Sequence, residues 1–324
     1  MTCGYPGLMV SIGYFLSCEE FGPRELVRQA KQAADAGFER LWISDHYHPW
    51  NDRQGQSSFV WSVIGALSEA VPGMPVTTAV TCPTVRIHPA VLAQAAATAA
   101  VQLHGEFVLG VGSGEALNEH ILGDPWPTAD VRLEMLEEAV EVIRLLHQGG
   151  SRNHHGKHYT VENARIYTLP DEPVPIYVSA FGKKAAEVAG RIGDGFVSVV
   201  PDAEILKAYR DAGGKGPAQG GFKVCHAPTV DEGLETAYRL WPNEGLPGEL
   251  AQVLPQPKHF EQACELVTKD MLSLPTGPDP EPYVQQVQAF VGAGFDQVHV
   301  AQIGQRQDEF FQFWRDKVAP QLPR

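Results

Sequence analysis

The sequence has few cysteines, no long apolar run and a shortage of basic side chains. Its five cysteines, at positions 3, 18, 82, 225 and 264, include no C-x-x-C pair, which indicates a reduced compartment rather than a disulfide framework. No basic N-terminal region precedes an apolar run, and no stretch of about 18 apolar residues occurs. We therefore expect a soluble, cytoplasmic protein without a membrane partner.

The charge balance limits the kinds of partner. The chain has 25 Lys and Arg residues against 39 Asp and Glu residues, for a formal net charge of −14. This excess of acid argues against a nucleic-acid partner, because binding to a phosphate backbone needs many cations. It does not argue against a small anionic cofactor, for which one helix terminus or one basic site is sufficient.

A short motif recurs along the chain and predicts the fold class. Residues 36–38, 194–196 and 293–295 read AGF, DGF and AGF. In each case a helical segment precedes the motif and a strand-like run follows, so the glycine is expected to cap the helix in the left-handed conformation. Strands are predicted near residues 9–15, 38–44, 76–81, 106–111, 174–179, 195–199, 221–227 and 297–302. Eight strands alternating with helices favour an α/β fold of the (β/α)8 TIM-barrel type over a doubly wound sheet.

Two stretches fall outside the repeat. Residues 149–171 predict a loop with a small hairpin, and residues 241–281, rich in Pro, Gly and Leu, predict an insertion over the C-terminal mouth of the barrel. Insertions between barrel units commonly determine substrate selectivity. No linker or low-complexity tail is visible, so we expect residues 1–324 to form a single domain.

Polar residues follow the second predicted strand, where a barrel carries its chemistry. His46 comes next to Asp45, and this pair suits a general base near neutral pH. Two alternatives remain: His46 and His48 satisfy loop carbonyls, or they form a zinc ligand pair. Zinc requires further ligands at later strand ends, and residues 179–182 and 199–202 offer only Asp202. We therefore expect no metal.

The fourth strand runs into a glycine-rich segment that ends at Glu115. A dinucleotide-binding interpretation of its glycines is weak, because the segment is not in the first βα unit. Closely spaced glycines also let backbone approach a flat ring, with Glu115 at the ring edge as an acid. Alternatively, Glu115 simply caps the next helix. After strand five, residues 179–182 followed by Lys183 and Lys184 suggest a phosphate cradle, or merely solvated charge.

Four segments carry a resemblance to a known family: residues 44–50 (SDHYHPW), 83–91 (PTVRIHPAV), 110–119 (GVGSGEALNE) and 189–196 (AGRIGDGF). Together they resemble the luciferase-like, F420-dependent oxidoreductases, and most of all the F420-dependent glucose-6-phosphate dehydrogenases. The likeness extends from about residue 13 to 303. It implies a barrel that holds coenzyme F420, a deazaflavin, in its mouth.

The resemblance also implies residue roles. His46 would take the alcohol proton, Glu115 would protonate the ring, and Trp50 would line the substrate side, so these three are the expected catalytic residues. A non-proline cis peptide is implied at Ala79–Val80. The implied cofactor-binding residues are Asp45, Ala79, Val80, Gly112, Ser113, Gly114, Asn118, Ser179, Ala180, Phe181, Gly182 and Lys183.

Three positions depart from the pattern that the resemblance implies. Phe181 replaces a glycine, which changes the loop near the coenzyme phosphate. Val199 and Asp202 lie in the substrate pocket where sugar-phosphate members have threonine and lysine. An apolar side chain and a carboxylate leave a phosphate unpaired and repelled, so we do not expect glucose 6-phosphate to be the substrate.

The expected reaction is hydride transfer between a small carbinol or carbonyl compound and the deazaflavin. Such a transfer needs one acid and one base, because it places charge on the ring and frees a proton at the substrate. The alternatives are an FMN-dependent luciferase-like monooxygenase and a non-catalytic F420-binding protein. The resemblance also implies a homodimer.

Overall fold

A closed barrel of parallel strands forms the centre of the molecule. The computed structural model describes residues 10–104 and 106–322. Within these residues ten strands occur: β1 Ser11–Leu16, β2 Arg40–Ile43, β3 Val76–Thr78, β4 Phe107–Val111, β5 Arg152–His155, β6 Thr160–Ala164, β7 Ile176–Ser179, β8 Gly195–Ser198, β9 Ala218–Val224 and β10 Gln297–Gln302. The barrel order is β1-β2-β3-β4-β7-β8-β9-β10, and β10 pairs again with β1. The predicted (β/α)8 barrel is confirmed.

Helices alternate with the strands and surround the barrel. They are α1 Pro23–Asp35, α2 Val60–Ala70, α3 Pro89–Gln102, α4 Ala116–Glu119, α5 Ala129–His147, α6 Lys183–Ile192, α7 Ala203–Asp211, α8 Val230–Leu240, α9 Leu250–Val253, α10 Pro257–Cys264, α11 Glu281–Gly292 and α12 Gln307–Phe313. None of the helices described has both the length and the apolarity needed to cross a membrane.

Two sequence-based boundaries need correction. The seventh barrel strand was expected at 221–227 but spans Ala218–Val224, because Gly220 and Gly221 lie inside it. A Cβ at Gly220 would lie 2.2 Å from the Phe290 ring, and one at Gly221 would lie 2.3 Å from the Trp42 ring. The absence of side chains at these two glycines leaves room for the rings, so the glycines belong to the strand and not to a preceding loop. The predicted start of the first strand, residue 9, lies outside the described residues.

The recurring helix-to-strand motif is confirmed at two of its three sites. Gly37 and Gly294 have φ of +88° and +96° and follow α1 and α11, as left-handed caps do. Gly195 is different. It is the first residue of β8, and a Cβ there would lie 2.5 Å from the Tyr177 ring. The absent side chain at Gly195 makes room for Tyr177.

The two stretches outside the repeat have structure of their own. Strands β5 and β6 pair antiparallel within residues 149–171. Residues 241–281 contain the short helices α9 and α10. Phe260 of α10 is buried and meets Trp50 edge to face, with ring centroids 5.2 Å apart. Trp50 lies in the loop after β2, so the insertion reaches the C-terminal end of the barrel.

A stack of rings fills the barrel interior below the mouth. Trp42 of β2 stacks on His299 of β10, with centroids 4.2 Å apart, and its Nε1 donates to Oε1 of Gln219 at 2.6 Å. Burial lowers the pKa of His299 well below its usual value, so this imidazole is neutral. The interior is therefore a packed core and not a channel.

Candidate active site

His46 lies in the loop after β2 and is surrounded by polar groups. Its Nε2 is 3.5 Å from Oε1 of Glu19, which lies in the loop after β1. Its Nδ1 is 3.1 Å from the carbonyl oxygen of His48 and 3.1 Å from Nδ2 of Asn118. Each ring nitrogen therefore has a partner of its own. Such contacts on both sides of an imidazole fix its orientation and support either protonation state.

Glu19 provides the acceptor that sequence analysis assigned to Asp45. Its Oε2 accepts hydrogen bonds from the hydroxyls of Ser17 at 2.8 Å and Ser44 at 2.7 Å. The backbone N–H of Cys18 donates to Ser44 Oγ at 2.9 Å, so the Ser44 proton is directed at Glu19. Burial alone would raise the pKa of Glu19, but the charge of His46 and the hydroxyl hydrogen bonds lower it overall. Glu19 is thus a carboxylate that faces the imidazole.

Asn118 joins the loop after β2 to helix α4. Its Oδ1 accepts from the backbone N–H groups of Tyr47 at 2.9 Å and His48 at 3.2 Å. Because these donors fix the orientation of the amide, Nδ2 faces His46 Nδ1 at 3.1 Å and Glu115 Oε2 at 3.4 Å. The expected acid and the expected base therefore contact one amide nitrogen.

Glu115 is the N-cap residue of α4, but its side chain makes no capping hydrogen bond. The simple helix-cap interpretation is therefore wrong. The carboxylate is instead directed toward Asn118. Glu115 and His46 come from separate strand ends and approach the same amide, so the residues expected to act as acid and base share one region of the mouth.

Asp45 does not contact His46 through its side chain. Its Oδ1 accepts from Nη2 of Arg86 at 2.9 Å, and its Oδ2 accepts from Thr81 Oγ1 at 2.8 Å. Both oxygens are therefore engaged within the protein. The expectation that Asp45 serves as the acceptor of His46 is wrong, because a guanidinium and a hydroxyl hold it on the opposite side of the loop.

The glycines at the end of β4 and directly after it make room for neighbouring protein groups. A Cβ at Gly110 would lie 1.9 Å from the Thr78 carbonyl oxygen, one at Gly112 would lie 2.8 Å from Val80, and one at Gly114 would lie 2.4 Å from Cys82. Gly114 also has φ of +76°, which disfavours other residues. Ser113 is half-buried beside Gly114.

The Ala79–Val80 peptide is cis, which confirms the expectation from the resemblance. Both side chains pack against a small apolar cluster inside the barrel that contains Trp42, Tyr177 and Val197. Next to it, the hydroxyl of Thr78 donates to the Gly110 carbonyl at 2.9 Å. The ends of β3 and β4 are thus closely joined below the mouth.

The expected phosphate cradle lies where β7 ends and α6 begins. Gly182 is the N-cap of α6, Lys183 is its first residue, and a Cβ at Gly182 would meet open space. Ala180 is buried, Ser179 is half-buried and Phe181 is exposed. The Nζ of Lys184 lies 2.7 Å from Asp130 in an exposed ion pair.

Val199 and Asp202, the two residues expected in the substrate pocket, differ in their surroundings. Val199 is 42% exposed after β8. Asp202 caps α7, since its Oδ1 accepts from the backbone N–H groups of Glu204 at 2.8 Å and Ile205 at 3.2 Å. Its negative charge therefore faces the helix terminus, where it is favourable.

Trp50 lies beside the expected base. Its ring centroid is 5.0 Å from that of His46 and 5.2 Å from that of Phe260, and its backbone N–H donates to Gln54 at 2.8 Å. The indole thus separates His46 from the insertion. In the part of the chain that the structure describes, no group of three or more His, Cys, Asp or Glu side chains is arranged to hold a metal ion.

Sequence analysis missed three residues of this site. Glu19 is the third residue after β1, so the strand-end signal that selected His46 and Glu115 also points to it. Arg86 belongs to a segment that carried the resemblance but had no role assigned. Glu119 follows Asn118 and binds Arg86 through a buried carboxyl. Burial raises the pKa of Glu119 to about 7 despite the nearby guanidinium.

Comparison with known proteins identifies the family. The sequence pattern of the family described as luciferase-like monooxygenase matches residues 9–239. The chain belongs to the luciferase-like monooxygenase family. Within this luciferase-like family the chain is 31% identical to an F420-dependent glucose-6-phosphate dehydrogenase of Amycolatopsis mediterranei strain U-32, over 97% of this chain and 99% of that protein.

Further relatives lie in the same branch. The chain is also 33% identical to an F420-dependent glucose-6-phosphate dehydrogenase of Microbacterium testaceum strain StLB037, over 96% of each chain. Among solved structures, an F420-dependent secondary alcohol dehydrogenase in complex with an F420-acetone adduct superposes with a TM-score of 0.88. It has 28% identity and covers 96% of this chain and 98% of that one. The resemblance stated from the sequence is confirmed.

Proposed function

We propose that this protein is an F420-dependent oxidoreductase that transfers a hydride between a small carbinol or carbonyl compound and the deazaflavin. The observation that carries the proposal is the pair of contacts at Asn118 Nδ2, with His46 Nδ1 at 3.1 Å and Glu115 Oε2 at 3.4 Å. The expected base and the expected acid come from separate strand ends and lie against one amide, and hydride transfer needs one of each. The relatives named above support the choice of cofactor.

The residues at the mouth fit this cofactor. Glu115 has a carboxylate free of capping bonds, and the loop from Ser179 to Gly182 presents backbone at the start of α6, where an anionic tail is favoured. We assign the coenzyme to the residues from β3, β4 and β7 that the resemblance implies. When bound, the deazaflavin accepts or supplies the hydride, which is chemistry that no side chain provides.

His46 exchanges the substrate proton at Nε2 in this proposal. Glu19 lies 3.5 Å from that atom and is ionised, so it stabilises the imidazolium formed when an alcohol loses its proton. The neutral ring that can accept a proton at Nε2 carries its own hydrogen on Nδ1, and the carbonyl oxygen of His48 accepts a hydrogen bond from Nδ1 in both protonation states. Glu115 exchanges a proton on the coenzyme side. In the reductive direction the same groups act in reverse.

We further propose that the substrate is not glucose 6-phosphate. Val199 offers no hydrogen bond, and the Asp202 carboxylate is committed to the α7 terminus and carries the wrong charge for a phosphate. Trp50 presents aromatic surface beside His46, and the buried Phe260 supports the indole from behind. These residues suit an uncharged substrate. The named sugar-phosphate activity of relatives that are 31% and 33% identical does not by itself transfer to this pocket.

The proposal is tested first by titrating the purified protein with F420 and with FMN while following fluorescence. We expect F420 to bind and FMN to bind far more weakly. A panel of secondary alcohols, ketones and glucose 6-phosphate follows, with the absorbance of oxidised F420 as the measurement. We expect turnover with an alcohol or ketone at a rate at least about tenfold above that with glucose 6-phosphate.

Two outcomes contradict the proposal and point to the alternatives. Tight FMN binding with oxygen consumption would favour a monooxygenase. Binding of F420 without turnover across the panel would favour a non-catalytic binding protein. Rapid reduction of F420 by glucose 6-phosphate would refute the substrate proposal alone.

We also propose that the protein is a cytoplasmic homodimer and that each chain is a single domain. Apolar side chains at Phe59 and Val91, each 59% exposed, support the dimer, because they border a cavity of about 520 Å³ between α2 and α3. Light scattering after size exclusion should give twice the chain mass, and Val91→Glu should give the monomer. Leu266→Glu, at an exposed site elsewhere, is the control.

A further inference from the structure

A buried guanidinium lies between two buried carboxyl groups beneath the proposed active site. Arg86 Nη2 is 2.9 Å from Asp45 Oδ1, and Arg86 Nε is 3.4 Å from Glu119 Oε1. The backbone N–H of Arg86 donates to Glu119 Oε2 at 2.7 Å. The three side chains are 7%, 1% and 1% exposed, so water contributes little to their solvation.

The places of these residues in the chain connect them to the proposed acid and base. Asp45 immediately precedes His46 in the loop after β2. Glu119 immediately follows Asn118, four residues after Glu115, at the end of α4. Arg86 comes from a third segment, between β3 and α3. One guanidinium therefore joins the two loops that carry the proton-exchanging groups.

The segment that carries Arg86 is itself held in place. Two residues earlier, the carbonyl of Thr84 accepts from the hydroxyl of Tyr159 at 2.9 Å. Tyr159 is buried and directly precedes β6 of the hairpin. Asp45 is likewise fixed by the Thr81 hydroxyl at 2.8 Å. Both ends of the contact thus have little freedom to move.

Stability alone does not account for this arrangement. A buried ion pair loses its hydration, and apolar replacements of similar volume are often equally stable. Burial on its own lowers the pKa of Arg86, and only its two carboxyl partners raise it overall. The guanidinium differs from an apolar side chain in geometry, because it presents several N–H donors in one rigid plane.

We propose that Arg86 is a positioning residue that sets the distance between His46 and Glu115. It does so by binding Asp45, which precedes His46, and Glu119, which follows Asn118. This inference rests on the proposed function. Arg86 itself touches neither of the two proton-exchanging side chains. Its planar guanidinium fixes the position of the loop after β2 relative to the end of α4. Asn118 connects the same two segments through hydrogen bonds of its own.

The first test compares Arg86→Met and Arg86→Lys with the wild type in F420 turnover. In Arg86→Met we expect kcat to fall about 100-fold, since a displacement of about 1 Å has that effect on transfer chemistry. The affinity for F420 should change less than about threefold, because the residues expected to bind the coenzyme tail, 179–183, lie at the end of β7 and the start of α6, away from Arg86. Arg86→Lys keeps the charge but has a single ammonium, so it should remain at least about tenfold below the wild type.

A matched control is Arg191→Met. Arg191 lies on the outer helix α6 and pairs with Glu137 at 2.8 Å, with both side chains largely in solvent. Its removal should leave kcat and F420 affinity unchanged. Full activity in Arg86→Lys would overturn the proposal, because charge without the fork would then be sufficient. Retention of more than half of kcat in Arg86→Met would do the same.

A second measurement does not depend on activity. In protein with ¹⁵N-labelled histidine and asparagine, the His46 imidazole and the Asn118 side-chain amide report their mutual contact by NMR. We expect both sets of signals to shift or split in Arg86→Lys, while the signals of His299, in the barrel interior, stay in place. Unchanged His46 and Asn118 signals would refute the positioning role even if the protein proves not to be an F420 enzyme. An inactive wild type with the expected shifts would refute the proposed function alone.

Discussion

Glu19 and Glu20 are adjacent in the sequence but differ in their protonation. Glu19 receives two hydroxyl hydrogen bonds and faces His46, and its pKa is lowered. Burial raises the pKa of Glu20 to about 7, although its carboxyl accepts from Trp241 Nε1 and, at 2.9 Å, from the Gly304 N–H. The side chains of neighbouring residues point to different surroundings, so equal residue types acquire different charges.

Glu20 gives the protein a stability that depends on pH. The folded state keeps a proton on Glu20 between pH 4.5, its ordinary value, and about 7, whereas the unfolded state has released it. Stability therefore falls as pH rises through this window. The difference between the two pKa values, about 7 and 4.5, limits the contribution of Glu20 to the free energy of unfolding to on the order of 3 kcal/mol. Denaturant unfolding at pH 5 and pH 8 should show a larger loss for the wild type than for Glu20→Gln.

Glu119 remains in both proteins, so its contribution to the pH dependence cancels in this comparison. The same loss of unfolding free energy in wild type and Glu20→Gln would contradict the prediction. In that case a group other than Glu20 would release the proton that makes stability depend on pH.

Asp202 should act as a helix cap and not as a substrate ligand. Asparagine is an equally good N-cap, so Asp202→Asn should unfold within about 0.5 kcal/mol of the wild type. Asp202→Ala leaves the N–H groups of Glu204 and Ile205 without their acceptor and should lose about 1 kcal/mol. Thermal unfolding of the two variants measures the difference. Equal losses would show that the charge, rather than the acceptor, is what matters.

At the scale of elements, one carboxylate of α5 accepts several hydrogen bonds from the β5–β6 hairpin. Glu138 accepts hydrogen bonds from the backbone N–H groups of Lys157, His158 and Tyr159, and from His154 Nε2 at 3.1 Å. Burial would raise the pKa of Glu138, but these hydrogen bonds lower it overall. Its contribution to stability is therefore present near neutral pH and is lost in acid.

Removal of this carboxylate should loosen the hairpin. Glu138→Ala leaves three successive N–H groups unpaired, and we expect a loss of about 2 kcal/mol in unfolding free energy with faster hydrogen exchange at residues 157–159. Glu141→Ala, at an exposed position of the same helix, should change stability by less than about 0.5 kcal/mol. Similar effects of both substitutions would mean that helix propensity, not the hairpin contact, is responsible.

The elements themselves were largely predictable, because their signals are local. The alternation of strand-like and helical segments predicts the barrel, and residues 149–171, which fall outside this repeat, predict the hairpin. Glu138 illustrates what such signals omit. The helical period of residues 131–147 predicts that Glu138 lies on the solvent side of α5, yet the hairpin folds over it. That contact joins residues about 20 positions apart, and no local pattern specifies it.

For the whole molecule, closure of the barrel depends on the absence of side chains in its interior. A Cβ at Gly13 of β1 would lie 2.2 Å from the His299 ring and 2.8 Å from Arg40 Cγ. His299 cannot move away, because it stacks on Trp42 and lies within hydrogen-bonding distance of the Gly220 carbonyl. The contact between the first and last strands therefore requires glycine at position 13.

Gly13→Ala should destabilise the fold by about 1–3 kcal/mol through overpacking. Gly292→Ala is the matched control, since a Cβ there meets nothing within 4 Å on α11, and it should be neutral or stabilising by up to about 1 kcal/mol. Chemical denaturation of both variants provides the measurement. If Gly13→Ala is as stable as the wild type, the ring stack must be able to shift.

The candidate site was predictable in its position but not in its pairings. The ends of parallel strands face one mouth, so His46 and Glu115 could be selected from the sequence. Their partners could not, because Asp45 and Glu19 are equally close to such strand ends. The choice between them depends on the direction of each side chain, which Thr81, Ser44 and Arg86 determine only after the strands are in register.

The two carboxyl groups with raised pKa have a consequence for ligand binding. Near neutral pH, Glu20 and Glu119 are each about half protonated. An anion that enters the mouth makes further negative charge unfavourable and so raises their affinity for protons. Association with an anionic coenzyme should therefore withdraw protons from the buffer, and the observed heat of binding should vary with the ionisation enthalpy of that buffer.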